Sequence, residues 1–186
     1  MQEMNLSEQE LKRLNEAINL KYSYDFSNYA QSSYTRRITR IIQHYKLDGV
    51  AELQRKLIGD VDFFTEFLRA VTVNTTEMFR DPAFWIGLRE HVLPTVGKHD
   101  VIRIWHAGCS TGEEIYSMAI MLKEHGLYDR VKIFATDIND KVLDTALAGR
   151  YHIRNLERDT KNYNEYGGQG QLSDHYTIDG DYMVMN

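Results

Sequence analysis

The chain has 186 residues, 42% of them hydrophobic and 26% charged, which is enough apolar material for one or two small packed domains and argues against wholesale disorder. A net charge of −5 disfavours a dedicated nucleic-acid binder. The single cysteine, Cys109, cannot close an internal disulfide, no charged-then-apolar leader opens the sequence, and no apolar run approaches the roughly 20 residues of a membrane helix, so a cytoplasmic protein without membrane insertion is expected.

Ser7 followed by Glu10 has capping-box spacing, and Leu11, Leu14, Ile18 and Leu20 continue as a helical stripe. A tyrosine- and serine-rich stretch, 22–34, has no clear period. Further helical patterns run from Tyr34 to Tyr45, from about Val50 to Ile58 and from about Val61 to Val71. Residues 1–72 therefore read as a helical N-terminal domain. In residues 73–96, a linker and helix, Asp81-Pro82 suggests a cap with proline in the first turn, and the helix is expected to end near Leu93, before Pro94. Within 97–150 the pattern changes. Val101–Trp105 reads as a strand, Ala107-Gly108-Cys109-Ser110-Thr111-Gly112 as a turn and Glu113–Glu124 as a helix. Val131–Thr136 is a second strand ending at Asp137, and Asn139–Leu147 a further helix. Strand, glycine turn, helix, strand is the opening of a doubly wound α/β sheet. Residues 151–186 read as a small antiparallel β subdomain, with strands near Asp174–Ile178 and Tyr182–Met185 around an Asp179-Gly180 turn.

Three groups of residues carry chemistry. Small residues at Ala107 and Gly108 let a ligand approach the backbone, and the helix that follows offers unpaired N–H groups. Such a helix start commonly holds a phosphate, yet Glu113 and Glu114 stand there and would repel one. A ligand with a cationic centre suits them better, which points to S-adenosylmethionine, with its sulfonium and ammonium, over NAD. The bland alternative is two glutamates complementing the helix dipole. Asp137, at the end of the second strand, stands where an acidic residue reaches a ribose hydroxyl pair; otherwise it caps the next helix. Asn74, Thr76 and Arg80 could line a pocket or be a cap with an exposed arginine. Cys109 reads as a space-filler. His106, beside the turn, could touch the cofactor, with a structural role the more expected one, and the scattered histidines give no metal-ligand spacing.

Taken together, the sequence resembles the CheR-type chemotaxis receptor methyltransferases, which esterify protein glutamates. The runs that carry the resemblance are Asn74-Thr75-Thr76-Glu77-Met78-Phe79-Arg80, then Trp105 through Ser117 with Ser110-Thr111-Gly112-Glu113-Glu114 at its centre, then Phe134-Ala135-Thr136-Asp137-Ile138. The resemblance implies an α/β fold: a small all-helical N-terminal domain, a Rossmann-like (class I) methyltransferase sheet and a small antiparallel β subdomain. It also implies that the C-terminal part of the sheet is missing, because the family's later segments do not appear. The cofactor would be S-adenosyl-L-methionine, leaving as S-adenosyl-L-homocysteine. Asn74, Thr76, Arg80, Ala107, Gly108, Glu113, Glu114, Asp137 and Ile138 would form its site. Arg80 would also place the methyl-accepting carboxylate, as the catalytic residue. The partners would be chemoreceptor cytoplasmic helices or another glutamate-bearing signalling protein, with self-association through the exposed sheet; the Arg36-Arg37-Arg40 cluster is either a solvated face, the usual case, or the patch that meets an acidic receptor helix. The rival readings are a regulatory or scaffold module that binds the cofactor without turnover, and an NAD-linked oxidoreductase, which would lack the full G-x-G-x-x-G pattern.

Overall fold

The reciprocal cap expected at Ser7 forms: the Glu10 backbone N–H donates to the serine hydroxyl, and the Glu10 carboxylate accepts the Ser7 backbone N–H at 2.9 Å. It opens α1 (Glu8–Tyr22) in a computed structural model that describes residues 6–72 and 75–186. The chain divides between residues 73 and 74 into two units.

The first unit is helical throughout: α1, α2 (Gln31–His44), α3 (Val50–Gly59) and α4 (Val61–Val71). Leu14, Ile18, Ile38, Ile42, Leu53, Leu57, Phe67 and Val71 are buried at its centre. The stretch without a period is an aromatic seam. Tyr22 stacks on Phe64 at 3.7 Å and donates its hydroxyl to Leu57 O at 2.6 Å, and Tyr34 donates to Asn15 Oδ1 at 2.5 Å. Each hydroxyl is satisfied while its ring stays in the apolar interior.

In the second unit the helix after Asp81 differs from the expectation in two ways. Asp81 gives no side-chain cap; it sits at φ 55°, and its backbone oxygen accepts the Phe84 N–H at 2.8 Å. Pro94 does not stop the helix. α5 (Pro82–Gly87) widens through a π turn at Leu88–Val92 and continues as α6 (Leu93–Val96). Proline then falls in a first turn, where its missing N–H leaves no bond unmade.

The α/β opening follows: β1 (Ile102–Ala107), α7 (Glu113–Glu124), β2 (Val131–Thr136) and α8 (Asp140–Ala148). β1 and β2 are parallel, in register from Ile102↔Val131 to Ala107↔Thr136. Their ends therefore lie side by side where Gly108 and Asp137 begin. Trp105 and Phe134, register partners, are exposed. The antiparallel sheet is present, with strands β3 (Arg150–His152), β4 (Tyr176–Asp179) and β5 (Tyr182–Met185) in the order β3-β5-β4. Between β3 and β4 stands a helix that the sequence reading missed, α9 (Leu156–Tyr166). Tyr163 and Tyr166 are its buried face, and both hydroxyls turn to the Glu124 carboxylate at the end of α7. Gly167 ends α9 at φ 81°, and a Cβ on Gly168 would lie 2.0 Å from the Tyr163 ring, so the glycine pair is explained by this packing.

Candidate cofactor site

Where β1 ends the chain must reverse into α7, and it does so through positive φ at Gly108 (78°), Ser110 (50°) and Gly112 (93°). Gly108 and Cys109 donate their N–H groups to Thr136 O at 2.8 and 3.0 Å, which ties the turn to the end of β2. Asp137 completes the tie. One carboxylate oxygen accepts the Ser110 N–H and the other the Asn139 N–H, each at 2.8 Å. The helix cap for which Asp137 was the alternative belongs to Asn139, whose side chain accepts the Lys141 N–H. A Cβ on Gly108 would meet nothing within 4 Å, so the space beside it is open. One on Gly112 would lie 2.7 Å from Ala146 Cβ of α8. The first glycine thus leaves room and the second is packed against.

The two glutamates at the start of α7 part company. Glu114 is half exposed, and its Oε1 lies 2.7 Å from Nδ1 of the buried His106. The bond to His106 holds the Glu114 carboxyl below its ordinary range, against a smaller effect of burial. Glu113 is buried, accepts the Thr111 hydroxyl at 2.6 Å and is pushed up by desolvation. Thr111 O in turn accepts the Tyr151 hydroxyl from β3 at 2.8 Å. Cys109 is buried, and its thiol is pushed up by desolvation first and Asp137 second, which keeps it protonated and inert. Two buried polar atoms here lack a hydrogen-bond partner: Nε2 of His106 at the end of β1 and Oγ of Ser110 in the turn. Such atoms cost about 1–3 kcal/mol each when left unpaired.

The run before the sheet is brought to the same helix start. The Phe79 N–H donates to Ser117 Oγ at 2.8 Å, and Ser117 donates to Glu113 O at 2.7 Å. From α9, Arg158 pairs with Glu77 at 3.2 Å, Asn162 donates to Met78 O at 3.0 Å, and the buried Asp159 takes the Met78 backbone N–H. Arg80 lies between Phe79 (φ 49°) and Asp81 (φ 55°), is exposed, and donates to Thr75 O at 3.2 Å. Two residues in the left-handed region bracket it, and that conformation is held because Phe79 is buried among Trp85, Tyr163 and Tyr166.

Thus Ala107, Gly108, Glu114, Asp137 and the exposed Ile138 gather around the strand ends, and Thr76 is half buried in the run anchored on α7 and α9. Glu113 is turned into the protein interior. Asn74 lies outside the described residues. The sequence reading passed over His106 as a Glu114 partner and over the α9 anchors. The signal for the anchors was present in Leu156, Asp159, Tyr163 and Tyr166, whose spacing puts them on one helix face.

Comparison with known families agrees with this geometry. Residues 74–183 match the family described as CheR methyltransferase, SAM binding domain, and residues 9–72 match CheR methyltransferase, all-alpha domain. A Pseudomonas putida protein named as a methyltransferase, Cher3, is 42% identical over 90% of this chain and 62% of its own length. The chemotaxis protein methyltransferase of Listeria monocytogenes is 32% identical over 72% of this chain and 52% of its own. That of Salmonella typhimurium is 29% identical over 84% and 54%. The chain therefore spans between half and two thirds of the length of these relatives.

Proposed function

This chain belongs to the CheR methyltransferase family, with S-adenosylmethionine as the cofactor of its second domain, and we propose that it transfers methyl groups to glutamate side chains of chemoreceptors. The observation that carries the reading is the convergence of the open turn at Gly108, the Asp137 carboxylate and the Glu114 carboxylate with the run that ends in Arg80.

The residues present fit the cofactor. There is open space beside Gly108, a half-exposed carboxylate at a helix start for a cationic group, and a buried hydroxyl on Ser110 that lacks a partner. Glu114 would receive the ammonium, Asp137 the ribose hydroxyls, and Ile138 would lie against the adenine. Ala107 and Gly108 would give the close approach, with Asn74 and Thr76 lining the side. Glu113 braces the turn and stays out of the ligand's reach. When bound, S-adenosylmethionine supplies an electrophilic methyl carbon, and a glutamate carboxylate takes that methyl as an ester while the sulfonium becomes the thioether of S-adenosylhomocysteine. A carboxylate, with a reference pKa near 4.3, is already ionised near neutrality, so the chain needs no general base. Its work is alignment, worth roughly 7–11 kcal/mol when reactants are well oriented. Arg80 would hold the incoming carboxylate by forked, charge-assisted hydrogen bonds. Arg36 and Arg40, exposed on α2, offer an acidic receptor helix a basic face, while Arg37 is drawn inward to Thr72 O at 3.1 Å.

The test is calorimetric titration with S-adenosylhomocysteine, followed by transfer from methyl-labelled S-adenosylmethionine to a chemoreceptor cytoplasmic fragment, read as base-labile ester. Binding with transfer supports the reading. Binding without transfer supports the rival, a cofactor-binding module without turnover. No binding by folded chain overturns both.

A further inference from the structure

Glu114 does not stand alone at the mouth of the turn. We propose that His106 is a positioning residue. It holds the Glu114 carboxylate by one oxygen, so that the other is presented to the ammonium of the cofactor; this rests on the reading above.

His106 shares its strand face with Ile102 and Ile104. The alternation of β1 puts that face inside, and the imidazole is 4% exposed. An apolar side chain would suit that position better, because a buried ring nitrogen without a partner is unfavourable. Nδ1 has a partner and Nε2 has none. Glu114 is held in its ionised form, chiefly by this same bond, and an ionised carboxylate can only accept, so Nδ1 is the donor. The ring thus faces Glu114 with a fixed N–H, buried on its own side and reaching a carboxylate that is 51% exposed on the other. A side chain on an exposed helix start ordinarily samples several rotamers. One anchored from a strand does not, and a fixed acceptor loses less freedom when it takes up a ligand. Only this one bond links the two side chains, so the role can be removed without touching the turn's glycines or Asp137.

The experiment measures binding of two ligands to the full chain. S-adenosylhomocysteine carries the ammonium; methylthioadenosine has the same adenosine and thioether and lacks the amino acid part. His106→Leu is expected to weaken S-adenosylhomocysteine on the order of tenfold, the usual worth of one hydrogen bond to a charged group, and to leave methylthioadenosine unchanged. His106→Asn, whose amide nitrogen takes the place of Nδ1, should restore affinity to within about threefold. In a Glu114→Gln background, His106→Leu should add little, since its target has lost its charge. Equal weakening of both ligands by His106→Leu would make the histidine merely structural, and unchanged S-adenosylhomocysteine affinity would remove the role altogether. Failure of the wild-type chain to bind either ligand would overturn the cofactor reading and this inference with it. Wild-type binding with unaffected variants overturns the inference alone.

Discussion

Asp137→Ala is the obvious substitution for testing a ribose contact, and the structure says that it will do more than that. The carboxylate accepts from Ser110 N–H and Asn139 N–H, both at 2.8 Å. Ser110 sits at φ 50°, a conformation that an L-residue keeps only when something holds it there. Hydrogen bonds to a charged group are worth about 1.5–3 kcal/mol each. Asp137 is only half buried, so water will serve part of the loss, and a net destabilisation of about 3 kcal/mol is expected for alanine. Asparagine keeps one acceptor and turns an amide N–H towards the other donor, so about half that cost follows. Both tryptophans of the chain, Trp85 and Trp105, lie in the second unit. Tryptophan fluorescence, excited where tyrosine does not absorb, therefore reports this unit without the helical one in a urea titration. With m near 2 kcal/mol per molar urea, the midpoint should fall by roughly 1.5 M for alanine and about half as far for asparagine. An alanine variant within about 0.5 kcal/mol of wild type would refute the claim that Asp137 ties the turn to β2. The consequence for binding is practical: ligand affinity of Asp137→Ala must be read in urea-free conditions where the unit is shown to be folded, or a folding loss will be mistaken for a lost contact.

Three further outcomes are expected. Arg80→Lys should lower methyl transfer on the order of tenfold while changing S-adenosylhomocysteine affinity by less than about twofold, because lysine keeps the charge and loses the fork; equal losses in both would remove Arg80 from the transfer step. Gly112→Ala should destabilise the second unit by about 2–4 kcal/mol, since it combines φ 93° with a Cβ placed 2.7 Å from Ala146 Cβ, and a neutral result in the same urea titration would contradict the packing. Glu113 has its pKa raised in the fold, chiefly by burial, so its neutral form is the favoured one. Its stabilising contribution is complete below the unfolded carboxyl pKa and is lost as pH rises through the folded value. Glu113→Gln should therefore gain stability relative to wild type as pH rises above the ordinary carboxyl range, and a pH-independent difference would show that burial is not the cause.

Much of this arrangement can be read from the sequence. Ser7 with Glu10 specifies a helix start because both partners of the reciprocal bond lie within four residues. β1, the glycine turn and α7 follow from a short apolar run meeting three residues with left-handed φ, two of them glycine. The hairpin of β4 and β5 follows from Asp179-Gly180, with Gly180 at φ 59°. The failures are where distant residues decide. Nothing near Pro94 announces a π turn five residues wide. α9 is polar by composition, and the sequence assigns it no element of its own because Glu124, the partner of its tyrosine face, lies 39 residues before Tyr163. Propensity is a local quantity and yields to such packing.

Glu113 and Glu114 show the limit most sharply. They are the same residue type, adjacent, in the first turn of one helix, and the sequence assigns them one role. Successive helical positions point about 100° apart. That rotation carries Glu113 into the interior beside Thr111, near Asp159, and leaves Glu114 at the surface with His106 beneath it. Burial raises the first carboxyl and a hydrogen bond lowers the second, so the pair diverges in charge preference as well as in place. A cationic ligand needs an ionised, reachable carboxylate, and of the two only Glu114 is one. Which of the two would serve follows from the phase of α7, and Ser117 of that helix accepts the Phe79 N–H from the run ending in Arg80 while donating to Glu113 O. The segment that would present the substrate's carboxylate is thereby bonded to the helix that carries Glu114. Ser117→Ala should accordingly weaken S-adenosylhomocysteine binding and methyl transfer together, by several-fold each, and a loss confined to transfer would show that the two are positioned independently.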